Sequence, residues 1–66
     1  MFAHLTDLGG NTLSVLAERV VLICKHEKAD GILVTAVCDE HGAALVFVEE
    51  SVPEAESAVL RARGYV

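Results

Sequence analysis

The residues best suited to binding a ligand lie together near the start of the chain, and they are Asp7, Gly9, Gly10, Asn11 and Thr12. If a helix begins at Asn11 or Thr12, the backbone N–H groups of this loop point outward at the helix N-terminus and can hold a carboxylate. The Asn11 amide could contact the same ligand, and Asp7 could accept a hydrogen bond from an α-amino group. The alternative is purely structural, because the two glycines permit a turn that Asp7 and Asn11 would cap.

The other residues that could do chemistry are scattered. His4, His26 and His41 fall in three separate segments with no short ligand spacing. The densest group of metal ligands, residues 39–41, has the composition of a solvated hairpin tip, whereas closed metal sites take ligands from more than one segment. We therefore expect no metal site and no cofactor.

Two cysteines, Cys24 and Cys38, each end an apolar run and form no Cys-x-x-Cys motif. This context predicts two reduced thiols in the core rather than a disulfide framework or a soft-metal site. No nucleophile and base stand at a recognisable spacing, so no catalytic residue is assigned. A small enzyme with a pocket between subunits, using His4 or His41 as a base, remains an alternative.

Composition excludes several classes of protein. Of 66 residues, 53% are hydrophobic and 23% charged, which argues against intrinsic disorder, and a net charge of −5 argues against nucleic-acid binding. The first ten residues lack the pattern of a signal peptide, and no apolar run, residues 20–24 included, is long enough to span a membrane. The expected location is the cytoplasm.

Turn signals divide the chain into short elements. Residues 1–6 predict a strand, and the apolar spacing after Thr12 predicts a helix that runs to about residue 28 and ends at Gly31. Residues 20–24 are also a continuous β-branched run, so a strand there fits equally well. Residues 32–48 predict a β-hairpin whose turn, residues 39–42, has Asp first and Gly last.

A second helix is predicted after Ser51, which forms a capping box with Glu54 around Pro53. Gly64 would end this helix, and residues 65–66 would begin a truncated last strand. The predicted fold is therefore a single α+β domain over residues 1–66. It is a ferredoxin-like βαββαβ sandwich, with an antiparallel sheet and two helices on one face.

The hairpin over residues 32–48 is apolar on both sides instead of alternating with polar residues. Two helices can cover only one face of so small a sheet, and large exposed apolar patches usually mark interfaces. We therefore expect self-association, as a homodimer or a higher oligomer, with the sheet at or beside the contact.

Three passages resemble the ACT domain, a small regulatory module of amino-acid metabolism. They are the glycine loop over residues 7–16, the turn over residues 29–32, and the closing helix with its Gly-Tyr-x-Val-like exit over residues 50–66. The resemblance implies a non-catalytic regulatory module that associates through its sheet. It also implies that a small effector such as an amino acid binds at the subunit interface, at Asp7, Gly9, Gly10, Asn11 and Thr12. A pure oligomerisation module without a ligand is the alternative.

Overall fold

The computed structural model describes residues 1–65, and this part of the chain forms five strands and one α-helix. The elements in chain order are β1 (Phe2–Thr6), β2 (Thr12–Leu16), a 3-10 helix (Ala17–Arg19), β3 (Leu22–Glu27), β4 (Leu33–Cys38), β5 (Ala44–Val48) and α1 (Val52–Ala62). Strands β1 and β2 form an antiparallel hairpin, and β3, β4 and β5 form a separate antiparallel sheet in that order. Within residues 1–65, no helix is long and apolar enough to cross a membrane.

The predicted ferredoxin-like βαββαβ fold is wrong, because the described residues contain one α-helix and two separate sheets. The region predicted as the first helix instead forms β2, the 3-10 helix and β3. Alternation along β2 explains the difference: Val15 is buried, whereas Ser14 and Leu16 are exposed. The register places Val15 opposite Ala3 on the core side of the hairpin, whereas the predicted helix had Leu16 on its apolar stripe and left Val15 outside it.

The three hairpins share one type of turn, at residues 7–11, 28–32 and 39–43. In each, the first residue donates its N–H to the carbonyl of the fifth, and the fourth residue, a glycine, donates to the carbonyl of the first. These glycines have φ of 78–85°, the left-handed region that a type I turn followed by a G1 bulge requires. Gly31 therefore ends no helix and instead closes the turn between β3 and β4.

Three predicted elements are confirmed, and the first is the strand predicted at residues 1–6, which forms as β1. The hairpin of residues 32–48 forms as β4 and β5, and α1 begins with the predicted capping box between Ser51 and Glu54. The strand predicted at residues 65–66 does not begin at Tyr65, whose N–H donates to the Leu60 carbonyl at the end of α1. Val66 lies outside the described residues.

The two sheets are joined where β1 ends and β5 ends. Asp7 and Val48 form an isolated antiparallel bridge, and the Glu49 N–H donates to the Thr6 carbonyl at 2.9 Å. Both carboxylate oxygens of Glu50 accept from the Thr6 N–H at 3.0 Å, and the buried Thr35 hydroxyl donates to the Glu50 carbonyl. The backbone groups at this junction are thus satisfied by a side chain that no sequence motif singled out.

One hydrophobic core draws on both sheets, the 3-10 helix and α1. Its buried members are Ala3, Leu5, Val15, Ala17, Val20, Val37, Val48, Ala55 and Val59. Helix α1 contributes small side chains, which allow it to lie close against the strands. Beyond the end of α1, the Arg63 guanidinium donates to the carbonyls of Ala17 and Val20 and ties the helix end to the 3-10 helix.

Candidate functional site

The loop predicted to bind a ligand is the turn between β1 and β2. The Asp7 carboxylate accepts hydrogen bonds from the N–H groups of Gly9 and Asn11, both at 2.9 Å. The Gly10 N–H donates to the Asp7 carbonyl at 3.0 Å, and Thr12 already belongs to β2, opposite Thr6. The five predicted residues are therefore contiguous, but the loop's N–H groups are occupied within the turn.

This geometry removes the structural argument for the predicted role of the loop. The predicted carboxylate-binding site required a helix N-terminus at Asn11 or Thr12, and a strand begins there instead. The assignment as a ferredoxin-like, ACT-type regulatory domain that binds amino acids loses its structural basis with that helix. The positions of Asp7 and Asn11 agree with the structural alternative, in which Asp7 caps a turn that the glycines permit.

Gly10→Ala is expected to destabilise the protein by about 1 kcal/mol, because a side chain is strained at its φ of 85°. Space is not the reason, since the nearest atom to a Cβ built there is a Glu49 carboxylate oxygen at 4.0 Å. For so small a domain, the expected fall in Tm is roughly 4–8 °C. Gly9→Ala is the matched control: its φ is not in the left-handed region, so a smaller shift in thermal melting is expected. Equal shifts for the two variants would contradict the assigned turn.

The two histidines considered as catalytic bases lie in exposed places. The His4 ring nitrogen Nδ1 is 3.2 Å from the Ser14 hydroxyl on the paired strand, and both side chains are exposed. Among residues 1–65, no carboxylate is hydrogen-bonded to the His4 ring. His41 stands at the tip of the third hairpin, 3.6 Å from Glu40. Neither histidine has the oriented and enclosed surroundings that general base catalysis uses.

A groove of about 710 Å³ lies between the start of β4 and the start of α1. Two lysines, Lys25 and Lys28, line it together with three carboxylates, at Glu49, Glu50 and Glu54. One of those carboxylates is already bonded to the backbone of Thr6. The groove therefore mixes both signs of charge and favours no single class of ligand.

The most distinctive surface is the side of the β3–β4–β5 sheet that faces away from the core. Strand pairing places eight side chains there, which we call the outer face: Leu22, Cys24, His26, Val34, Ala36, Cys38, Ala44 and Phe47. Their neighbours on the inner side, including Ile23, Val37 and Val46, pack in or against the core instead. The sequence predicted that β4 and β5 are apolar on both sides, but it placed the outer-face residues of β3 in a helix.

The outer face is apolar and carries no lysine, arginine, aspartate or glutamate. Leu22 is 48% exposed, while Cys24, Val34 and Phe47 are half-buried. The His26 ring leans on the Phe47 ring, with their centroids 4.9 Å apart, beside the buried Ala36. Such a surface is unusual on a chain in which 23% of residues are charged.

The two thiols lie side by side on this outer face. Cys24 pairs with Ala36 across the sheet, and Cys38 follows Ala36 by two residues on the same face. Burial, together with the neighbouring Cys24 thiol, raises the pKa of Cys38 above its ordinary value. Both cysteines are free, and Cys38 is buried whereas Cys24 is only half-buried. The prediction of buried thiols therefore holds for Cys38 alone, and that thiol lies on the outer face instead of in the hydrophobic core.

Comparison with known proteins gave no match. No protein-family model, no curated protein sequence and no solved structure matches this chain. The likeness to ACT domains therefore remains a resemblance in sequence, without the fold that it implied.

Proposed function

We propose that the protein is a non-catalytic self-association module whose outer face packs against the same face of a second copy. The observation that carries the proposal is an uncharged, apolar sheet face on the side opposite the core. Leaving such side chains in water forgoes roughly 25 cal/mol per Å² of apolar surface. Covering them with another chain recovers that free energy.

Charge supports a second copy as the occupant. The chain has ten acidic and five basic residues, so two copies repel one another over most of their surface. The outer face contains none of these fifteen residues. Two copies can therefore meet through it without bringing carboxylates together, and a two-fold contact needs only this one patch on each chain.

The size of the outer face determines how strongly two copies are expected to associate. Three strands of about six residues cover roughly 14 by 20 Å, or about 300 Å² on each copy. Burying about 600 Å² in total contributes at most roughly 15 kcal/mol. Association costs an estimated 4–15 kcal/mol, and stable interfaces usually bury more than about 1,200 Å². We therefore expect a weak dimer, with a dissociation constant in the micromolar range or above.

Sedimentation equilibrium from low micromolar to near-millimolar protein tests the proposal. The mass should rise from one chain towards two, and Phe47→Lys should raise the dissociation constant at least about tenfold by placing a charge at the contact. This substitution makes the chain less acidic, so weaker association could not come from greater overall repulsion. Added salt should strengthen the dimer, because it screens the repulsion between two acidic chains.

Phe2→Lys is the matched control, since Phe2 is 60% exposed but lies on β1, away from the outer face. It should leave association unchanged. Leu22→Lys repeats the test at a more exposed position of the outer face, in case Phe47→Lys disturbs folding. A wild-type chain that stays monomeric at near-millimolar concentration, or equal weakening by Phe2→Lys, would contradict the proposal.

We also place the protein in a reducing compartment such as the cytoplasm. Support comes from the cysteine content, since the chain has only two cysteines and each ends an apolar run. Oxidising compartments favour paired cysteines.

A further inference from the structure

We infer that Cys24 and Cys38 together form a two-coordinate site for a soft monovalent cation such as Cu(I). The inference goes beyond self-association and does not depend on it. Two thiols on adjacent strands, on one uncharged face, supply the ligand type that Cu(I) prefers.

The strand register determines what can join the two sulfurs. Cys24 lies opposite Ala36 and Cys38 lies opposite Leu22, so the two cysteines are diagonal neighbours. Diagonal cross-strand residues have Cα atoms about 7–8 Å apart. A disulfide normally requires about 4.4–6.8 Å, so direct oxidation would have to move the backbone.

A bridging cation fits the wider spacing. Metal–sulfur bonds are about 2.3 Å long, so a linear sulfur–metal–sulfur unit spans roughly 4.6 Å instead of the ~2.05 Å of a disulfide. On binding, each thiol loses its proton and donates a sulfur lone pair to the ion. Two protons leave, one cation enters, and the unit carries one net negative charge.

The surroundings favour a two-ligand ion over zinc. Within residues 1–65, no group of three or more His, Cys, Asp and Glu side chains is placed to hold a metal ion. Zinc in proteins normally takes four ligands. The His26 ring, the other possible donor on the outer face, is stacked on Phe47. The cation would sit among aliphatic and aromatic side chains that supply no oxygen ligand from a carboxylate.

Anaerobic titration of the fully reduced protein with Cu(I) tests the site, using a chromophoric chelator as competitor and protein at low micromolar concentration. We expect one Cu(I) per chain and a new ultraviolet thiolate-to-copper band. Cys24→Ser and Cys38→Ala should each weaken binding at least about 100-fold, because two linked ligands outperform one by that factor or more. Circular dichroism of each variant would establish that the sheet has formed.

Two comparisons make the result specific. His26→Gln should bind Cu(I) within about threefold of wild type, and an equal concentration of Zn(II) should not displace the copper. The inference would be overturned by no binding, by full binding in either cysteine variant, by loss of binding in His26→Gln, or by displacement of copper by zinc. If Cys38→Ala proves unfolded, the Cys24→Ser result alone decides, because Cys24 is only half-buried.

Discussion

Leu5→Ala is expected to lower the free energy of unfolding by about 2–5 kcal/mol, as replacement of a buried leucine usually does. Leu5 is 1% exposed and lies opposite Leu13 on the core side of the β1–β2 hairpin. A chain of this length has a total stability of only about 3–10 kcal/mol. Urea denaturation followed by circular dichroism should therefore show a midpoint far below that of the wild type, or no folded baseline at all.

Leu33→Ala is the control, because it deletes the same atoms from a leucine that is 59% exposed on β4. Its expected cost is below about 1 kcal/mol. Leu5→Met keeps the volume and should cost less than about 1.5 kcal/mol, which leaves a folded variant for comparison. Similar losses for Leu5→Ala and Leu33→Ala would show that Leu5 is not in the core.

The turns show how much of this fold could be predicted from sequence. All three have a glycine in the fourth position, and the first and third begin with an aspartate whose carboxylate accepts two N–H groups of its own turn. Only the third was interpreted as a hairpin, because clear strand patterns flank it. At Gly31 the same turn residues also predict the end of a helix, since a glycine suits both roles.

The helix predicted before Gly31 does not form, because contacts with other strands favour an extended chain. Over residues 12–28, helical spacing and strand alternation fit the apolar residues almost equally well, and local propensity differs by only tenths of a kcal/mol per residue. Pairing with β1 on one side and β4 on the other decides in favour of strands. The spacing of residues 12–28 does not itself show which strands they pair with, so the sequence alone left the choice open.

The outer face, too, could be predicted from sequence only in part. Val34, Ala36 and Cys38 could be assigned to one side of β4 from alternation alone, and the structure confirms that assignment. Cys24 could not, because its place beside Cys38 exists only once β3 pairs with β4. The features that the sequence predicted depend on spacing within one strand, whereas the thiol pair depends on the pairing of β3 with β4 across the turn at residues 28–32.

Ala55→Leu tests the other side of the core, where α1 lies against the strands. Ala55 is completely buried, and its helix contacts β1, β3, β4 and the 3-10 helix. Three additional carbon atoms have no space there unless the helix moves outward. Overpacking of this kind costs about 1–3 kcal/mol, although leucine and alanine are both good helix formers. The expected result is a lower urea midpoint with an unchanged slope.

Ser57→Leu separates crowding from the effect of an added leucine, because Ser57 is exposed on the same helix. Its stability should stay within about 0.5 kcal/mol of wild type. If Ala55→Leu were instead neutral or stabilising, the space between α1 and the strands would have to be loosely filled. Our description of α1 as closely packed through its small residues would then be wrong. The inner side of the sheet would be a second apolar surface that is incompletely covered. A single outer face would then no longer account for where two copies meet.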